Sequence, residues 1–340
     1  MMRAMSAAPA HAWEPDDPPL PHDGYVTVRG LRLYFREQGD GHPLLLINGL
    51  GGHADMWGPA EDRLSETSRT IVFDAPGTGR SSTSPVPIPL PAVAKLLVRL
   101  VDELGYERVD VAGYSLGGVM AQQFARTAPE RVRRLALVAT SSGWGSAPPD
   151  LASLALISTP ARYLSPQLYK ATSHLLDGGD RFRDPNLKHA QAERRNRHPP
   201  SFTGYAQQFL QGSTWSSLHW SHRLTMPTLV IGGTRDRLVP AANSMLLAYR
   251  IPDSRLHLLP DEGHLMLFDP LSSSSDLLAD FFSSPDHARS AAWRTGDAVD
   301  DYERVEEALR AAPGLQPLKA LSGAYRAWVR GPVVKKVFGS

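Results

Sequence analysis

The sequence predicts an α/β protein with a mostly parallel central sheet, helices on both faces and a helical cap inserted ahead of the last strands. Three observations predict it. From Gly24 to Phe282, short continuous apolar runs alternate with longer stretches of helical periodicity, the pattern of strands buried on both faces and joined by crossover helices. The segment 142–222 between two of those runs is far too long for a plain strand-to-helix connection. The chain has 340 residues, 42% of them apolar and 21% charged, enough for one such domain with an insertion.

Taken in order, Tyr25–Val28 and Leu31–Phe35 flank Arg29-Gly30 and read as a β-hairpin. Pro43–Asn48 is a continuous apolar run that ends at glycine, and Thr70–Asp74 is another, ending in Ala75-Pro76-Gly77. Val93, Leu96, Leu97, Leu100 and Val101 recur at helical spacing and place a helix over Pro91–Leu104. Val109–Gly113 is a strand, Leu116–Ala128 a helix and Leu135–Ala139 the next strand. Two further strands, Thr228–Ile231 and Arg255–Leu259, follow the insertion with a helix between them. The expected organisation is therefore a core over 23–141 and 223–283, a cap over 142–222, and a C-terminal extension over 284–340.

The ends and the composition narrow the function. Residues 1–22 hold one arginine, no apolar stretch and five prolines from Pro9 to Pro21, so a disordered leader is expected rather than a secretory signal. The chain has no cysteine, which excludes thiolate catalysis, disulfides and cysteine-ligated metal sites and suits a reducing cytoplasm. A net charge of +1 and a pI near 8.1 give no global field that would recruit nucleic acid. No run of apolar residues is long enough to span a membrane. No metal or organic cofactor is expected.

Gly113-Tyr114-Ser115-Leu116-Gly117 fits G-x-S-x-G between a strand and a helix. Small residues two positions either side of the serine let a tight strand-to-helix turn close, which points Ser115 outward as a nucleophile. Serine needs a base within hydrogen-bonding reach. His264, in Leu259-Pro-Asp-Glu-Gly-His264, follows the last strand, as none of the other eleven histidines does. Asp236, just past the strand Thr228–Ile231, is the carboxylate that would orient His264. Taken singly, each has a plainer reading: a turn serine, a solvated loop histidine, a turn aspartate. The order Ser, Asp, His through one α/β sheet favours acyl transfer.

Such chemistry needs two backbone N–H donors for the developing oxyanion. Leu116 supplies one, and the glycine-rich loop Asn48-Gly49-Leu50-Gly51-Gly52 the other, through Leu50. Asn48, Gly49, Tyr114, Trp144, Trp215 and Trp220 are the candidates for the substrate pocket, and the turn-rich loop from Asp74 to Ser81 is expected to shape its floor.

On these residues the chain resembles the α/β-hydrolase superfamily over about Gly24 to Phe282. Within it the chain is similar to the intracellular depolymerases of medium-chain-length polyhydroxyalkanoates. The shared features are Asn48-Gly49 in place of His-Gly, Phe73-Asp74-Ala75-Pro76-Gly77 with Gly79 and Ser81, and Ala121-Gln122-Gln123-Phe124-Ala125. Phe182-Arg183-Asp184-Pro185, the segment Trp215–Trp220 and the segment Ile251–His257 complete them. The resemblance implies the α/β-hydrolase fold and cofactor-free hydrolysis of a polyester of 3-hydroxy fatty acids, in the cytoplasm at storage-granule surfaces. The chain departs from the family pattern where tryptophan would follow the serine and Leu116 stands instead, which bears on the acyl pocket.

The alternatives are a carboxylesterase or lipase acting on small lipid-like esters with the same three residues, and a ligand-sensing or granule-associated binding protein that keeps the fold without turnover. A last feature lies in the extension. After Glu307 there is no acidic residue, and Leu318, Leu321, Tyr325, Trp328 and Val329 share one helical face with Lys319, Arg326 and Arg330 largely elsewhere. A basic amphipathic helix of that kind is suited to a lipid- or polymer-coated surface, and equally to docking on the protein's own body.

Overall fold

The computed structural model of the chain describes residues 22–177 and 185–330. The leader expected over 1–22, apart from His22, lies outside the described residues, as do Phe182–Asp184 and the last two lysines of the tail. Strands β1 (His22–Val28) and β2 (Leu31–Gln38) form the antiparallel hairpin around Arg29-Gly30. Then come β3 (His42–Ile47), β4 (Ser68–Phe73), β5 (Val109–Tyr114), β6 (Val132–Val138), β7 (Thr228–Gly233) and β8 (Ser254–Leu259). These six are parallel, β4 meets β2 antiparallel, and the order across the sheet is β1-β2-β4-β3-β5-β6-β7-β8. This is the α/β-hydrolase fold expected from the sequence.

The central strands have no solvent face. Leu44, Leu45, Leu46 and Ile47 of β3 are all buried, their side chains divided between two apolar clusters on opposite sides of the sheet. That is why these strands are continuous apolar runs rather than alternating ones. Helices α1 (Pro59–Ser65), α2 (Leu90–Glu103) and α3 (Leu116–Thr127) connect the first parallel strands. The apolar positions of α2 that predict it, from Val93 to Val101, all face the core. Strand β6 begins three residues before its apolar run, at Val132, because two arginines are accommodated in it. Arg133 pairs with the buried Asp110 of β5, and the buried Arg134 donates to the carbonyl of Pro285 at 3.1 Å.

Between β6 and β7 lie α4 (Leu151–Ile157), α5 (Ala161–Leu164), α6 (Pro166–Asp177), α7 (Pro185–Arg197) and α8 (Phe202–Thr214). The loop 75–79 abuts α8, with the Cα of Gly204 only 2.4 Å from where a Cβ on Gly77 would sit. After the insertion, α9 (Ala241–Arg250) and α10 (Ser274–Ser283) complete the sheet's cover.

The extension does not stand apart from this body. Helix α11 (Ala291–Thr295) stacks Trp293 on Phe281 of α10, with ring centroids 5.8 Å apart. Helix α12 (Tyr302–Ala311) places Val305 and Leu309 in the same cluster as Leu246 and Leu247 of α9. Helix α13 (Gln316–Arg330) follows. Its apolar face is split rather than free. Val329 is buried and Tyr325 packs against the core, whereas Leu321 and Trp328 are more than half exposed. Arg326, expected to lie away from the packed face, is buried. Its guanidinium donates to Glu306 at 3.0 and 3.2 Å and to the carbonyl of Gly145 at 2.7 Å. An ion pair and a carbonyl acceptor allow a charge to occupy a buried position that hydropathy alone would deny it.

Candidate active site

Ser115 is the first residue past β5, and its backbone stands at φ 55° and ψ −123°, a conformation costly for a residue with a Cβ. The turn is held by backbone hydrogen bonds. The Ser115 N–H donates to the Val138 carbonyl at 2.9 Å, and the Ser115 carbonyl accepts from Thr140 Oγ1 at 2.6 Å and from the Gly118 N–H at 2.9 Å. Glycine at 117 is a steric necessity, because a Cβ there would lie 1.9 Å from the Ile47 carbonyl oxygen. Gly49 allows the close approach on the other side, where a Cβ would sit 3.0 Å from that of Ser115.

His264, on the loop after β8, brings Nε2 to 3.1 Å from Ser115 Oγ. Its Nδ1 lies 2.7 Å from Asp236 Oδ2, on the loop after β7. The second oxygen of Asp236 accepts from the N–H groups of Leu238 and Val239 at 2.9 and 2.7 Å. An ionised carboxylate can only accept, so Nδ1 carries the ring proton and Nε2 is left as an acceptor facing the serine. Asp236 and His264 are both buried. Tyr114 steadies the histidine loop by donating its hydroxyl to the His264 carbonyl at 3.0 Å. The arrangement can draw a proton from Ser115 as its oxygen forms a bond, and can hold the resulting imidazolium against a buried anion.

Ser115 and His264 open into a cavity of about 360 Å³, lined chiefly by apolar groups. Of the expected pocket residues Asn48, Gly49, Tyr114 and Trp144 line it, and so do Leu50 and Leu116, the expected oxyanion donors. Asn48 spends its polar atoms inside its own loop, Nδ2 donating to the His53 carbonyl at 3.0 Å and Oδ1 accepting from the Gly49 N–H at 2.8 Å. Among the described residues the N–H groups of Leu50 and Leu116 have no protein acceptor.

Trp215 and Trp220 do not line the cavity, contrary to expectation. They pack edge to face on each other, 5.6 Å apart, at the C-terminal end of the insertion. Trp215 Nε1 donates to Gln123 at 2.8 Å, and the buried Trp220 lies under the Arg126 guanidinium. Their size suits them to bridging the insertion to α3, which composition could not distinguish from a pocket role. The loop from Asp74 to Ser81 is likewise no part of the floor. Asp74 is buried and accepts from the N–H groups of Ala54 at 2.6 Å and Arg80 at 2.7 Å, and burial pushes its carboxyl upward despite those donors.

Several cavity residues were not legible in the sequence. Tyr163, Arg162, Arg195, Tyr205 and Gln208 all come from the insertion. Two of them grip the glycine-rich loop: Tyr163 donates its hydroxyl to the Leu50 carbonyl at 2.5 Å, and Gln208 Oε1 accepts from the Gly51 N–H at 2.9 Å. Leu318 and Ser322 of α13 also reach the cavity. None of these sits in a local motif.

Comparisons with known proteins follow the same lines. A family model described as the alpha/beta hydrolase fold matches residues 42–271. The poly(3-hydroxyalkanoate) depolymerase of Ectopseudomonas oleovorans is 38% identical over 241 residues, covering 70% of this chain and 83% of that one. RutD of Azorhizobium caulinodans, provisionally named a carbamate hydrolase, is 32% identical over 228 residues, covering 66% of this chain and 84% of its own. A crystal structure of a hydrolase from Pseudomonas aeruginosa superposes with a TM-score of 0.64 at 25% identity, covering 77% of this chain and 98% of that one.

Proposed function

The chain belongs to the alpha/beta hydrolase fold family, and from that membership we propose that it is a serine hydrolase cleaving carboxylic esters through an acyl-enzyme, with poly(3-hydroxyalkanoate) as its substrate class. The observation that carries the reaction class is the hydrogen-bonded series Ser115–His264–Asp236 at the mouth of an apolar cavity. The substrate class is carried by the 38% identity to a protein of that name, together with a cavity whose apolar lining suits an alkyl side chain.

Ser115 Oγ attacks the ester carbonyl while His264 Nε2 takes its proton. The negative charge that develops on the carbonyl oxygen is met by the N–H groups of Leu50 and Leu116, fixed in place before the substrate arrives. Collapse expels the alkoxide, protonated by His264, which in a 3-hydroxyalkanoate chain is the hydroxyl end of the neighbouring unit. Water, deprotonated by the same imidazole, then attacks the acyl-enzyme and releases the acid. Asp236 accepts the hydrogen bond of Nδ1 throughout and holds the imidazole in the required tautomer. Residues 142–222 act as the cap over this site, and the enzyme works in the cytoplasm at the surface of a storage granule. Among the described residues no helix is long and apolar enough to cross a membrane.

A small-ester reading has one observation in its favour: about 360 Å³ is the room a small ligand needs. Hydrolysis by the purified protein of medium-chain polyester latex, short-chain polyester and p-nitrophenyl esters of graded length tests both. Turnover of the medium-chain latex supports the depolymerase. Turnover of soluble esters alone moves the assignment to a carboxylesterase, and no turnover of any ester overturns both.

A further inference from the structure

The helix furthest from the active site in sequence forms one of its walls. Leu318 and Ser322 of α13 line the same cavity as Ser115 and His264, although α13 lies beyond residue 271, where the family match ends. The helix is not held there by thick packing. Beyond Ser322, Ala147 and Pro148 lies a second cavity of about 250 Å³, so at that point the wall is one residue deep. Its place is fixed one turn further along and beyond, by Tyr325 and Val329 against the core and by Arg326. This buried side chain joins Glu306 of α12 to the carbonyl of Gly145, inside the loop whose members Gly143, Trp144 and Ser146 also line the cavity. Helix and loop are thereby tied into one unit.

We propose that α13 is a specificity wall of the site: Leu318 limits the length of the acyl chain that can lie against Ser115, and Arg326 sets where that limit stands. Leu318 brings four side-chain carbons to a cavity whose other surfaces come from the loops after β3, β6, β7 and β8, from α3 and from the insertion. A longer side chain there takes volume from the substrate, and a shorter one gives it back. The inference rests on the ester-hydrolase reading for its catalytic consequence and on the cavity alone for its binding consequence.

The test uses full-length protein and the variants Leu318→Trp, Leu318→Ala and Arg326→Met. Two measurements are made on each: kcat/KM for p-nitrophenyl esters from butyrate to dodecanoate, and Kd by calorimetry for the fatty acids of the same lengths. Leu318→Trp is expected to move both optima to shorter chains, with roughly a tenfold loss at the long end for two methylenes excluded. Leu318→Ala and Arg326→Met are expected to move them to longer chains. Superimposed profiles for the wild type and both Leu318 variants overturn the wall. If the wild type hydrolyses no ester, the reading of the reaction fails, and the Kd profiles still decide the wall by the same criterion. Should Arg326→Met fail to fold, the two Leu318 variants carry the result.

Discussion

Ser115 Oγ lies 3.1 Å from Nε2 of His264, although 149 residues separate them in the chain. The backbone of Ser115 is held at φ 55° to bring this about. The strain and the contact are one feature, because the turn that makes the serine unfavourable is the turn that aims it.

Replacing Ser115 therefore separates activity from stability. Ser115→Ala is expected to lose at least about 10³-fold in kcat with little change in Tm, since alanine keeps the strained Cβ. Ser115→Gly is expected to be equally inactive yet more stable than Ser115→Ala by about 1 kcal/mol, the relief of strain less the extra entropy of glycine in the unfolded chain. Urea unfolding of the two variants checks the sign. A Ser115→Gly protein less stable than Ser115→Ala would contradict the strained geometry.

Gln208 reaches from the insertion to the glycine-rich loop, accepting from the Gly51 N–H at 2.9 Å. Gln208→Met fills the space without an acceptor and frees the neighbouring Leu50 to move. We expect kcat to fall roughly tenfold or more, with KM much less affected, as for an interaction that matters in the transition state. A rise in KM with kcat unchanged would instead make Gln208 a ground-state contact.

The tryptophans divide by position. Trp220 is buried in the core under Arg126, so Trp220→Ala is expected to cost about 3–5 kcal/mol. Trp144, 42% exposed at the cavity, should cost under about 1 kcal/mol when truncated while altering the ester-length profile. Thermal unfolding of both, beside the ester panel, tests this division; equal losses of stability would refute it.

His53 is fully buried, and burial pushes its pKa down from 6.5 to about 4. Between those values the unfolded chain binds a proton that the folded protein refuses, so the folded state is fully favoured above pH 6.5 and loses stability as the pH falls toward 4. The loss attributable to His53 is about 3 kcal/mol. His42, depressed to about 4 by burial and by Arg133, Arg134 and Arg108, adds to the slope. Urea titrations across that window should be flatter for His53→Leu than for the wild type, and parallel curves would remove His53 from the account.

The parts of this molecule that could be read from its sequence are those built from neighbours in the chain. The central strands are continuous apolar runs because both faces of the sheet are covered. The turn at Ser115 shows itself in Gly113 and Gly117 because sterics admit nothing larger at 117. The spacing of Ser115, Asp236 and His264 follows from strand order. Arg133 and Arg134 hid the start of β6, since their partners Asp110 and Pro285 come from other elements. Trp215 and Trp220 look like pocket residues until α3 is seen beneath them. Leu318 reads as part of the apolar face of an amphipathic helix and Arg326 as lying largely off it, and only the helix's docking on Gly145 and Glu306 turns one into cavity wall and the other into an anchor.

The proposed reaction rests on Ser115 as a nucleophile activated by His264. It is tested most directly by mass spectrometry of the protein after reaction with a fluorophosphonate probe. The expected result is a single adduct on the peptide carrying Ser115, absent from Ser115→Ala and slowed at least about a hundredfold in His264→Ala. An unlabelled wild type, or a Ser115→Ala variant labelled at the wild-type rate, would contradict it.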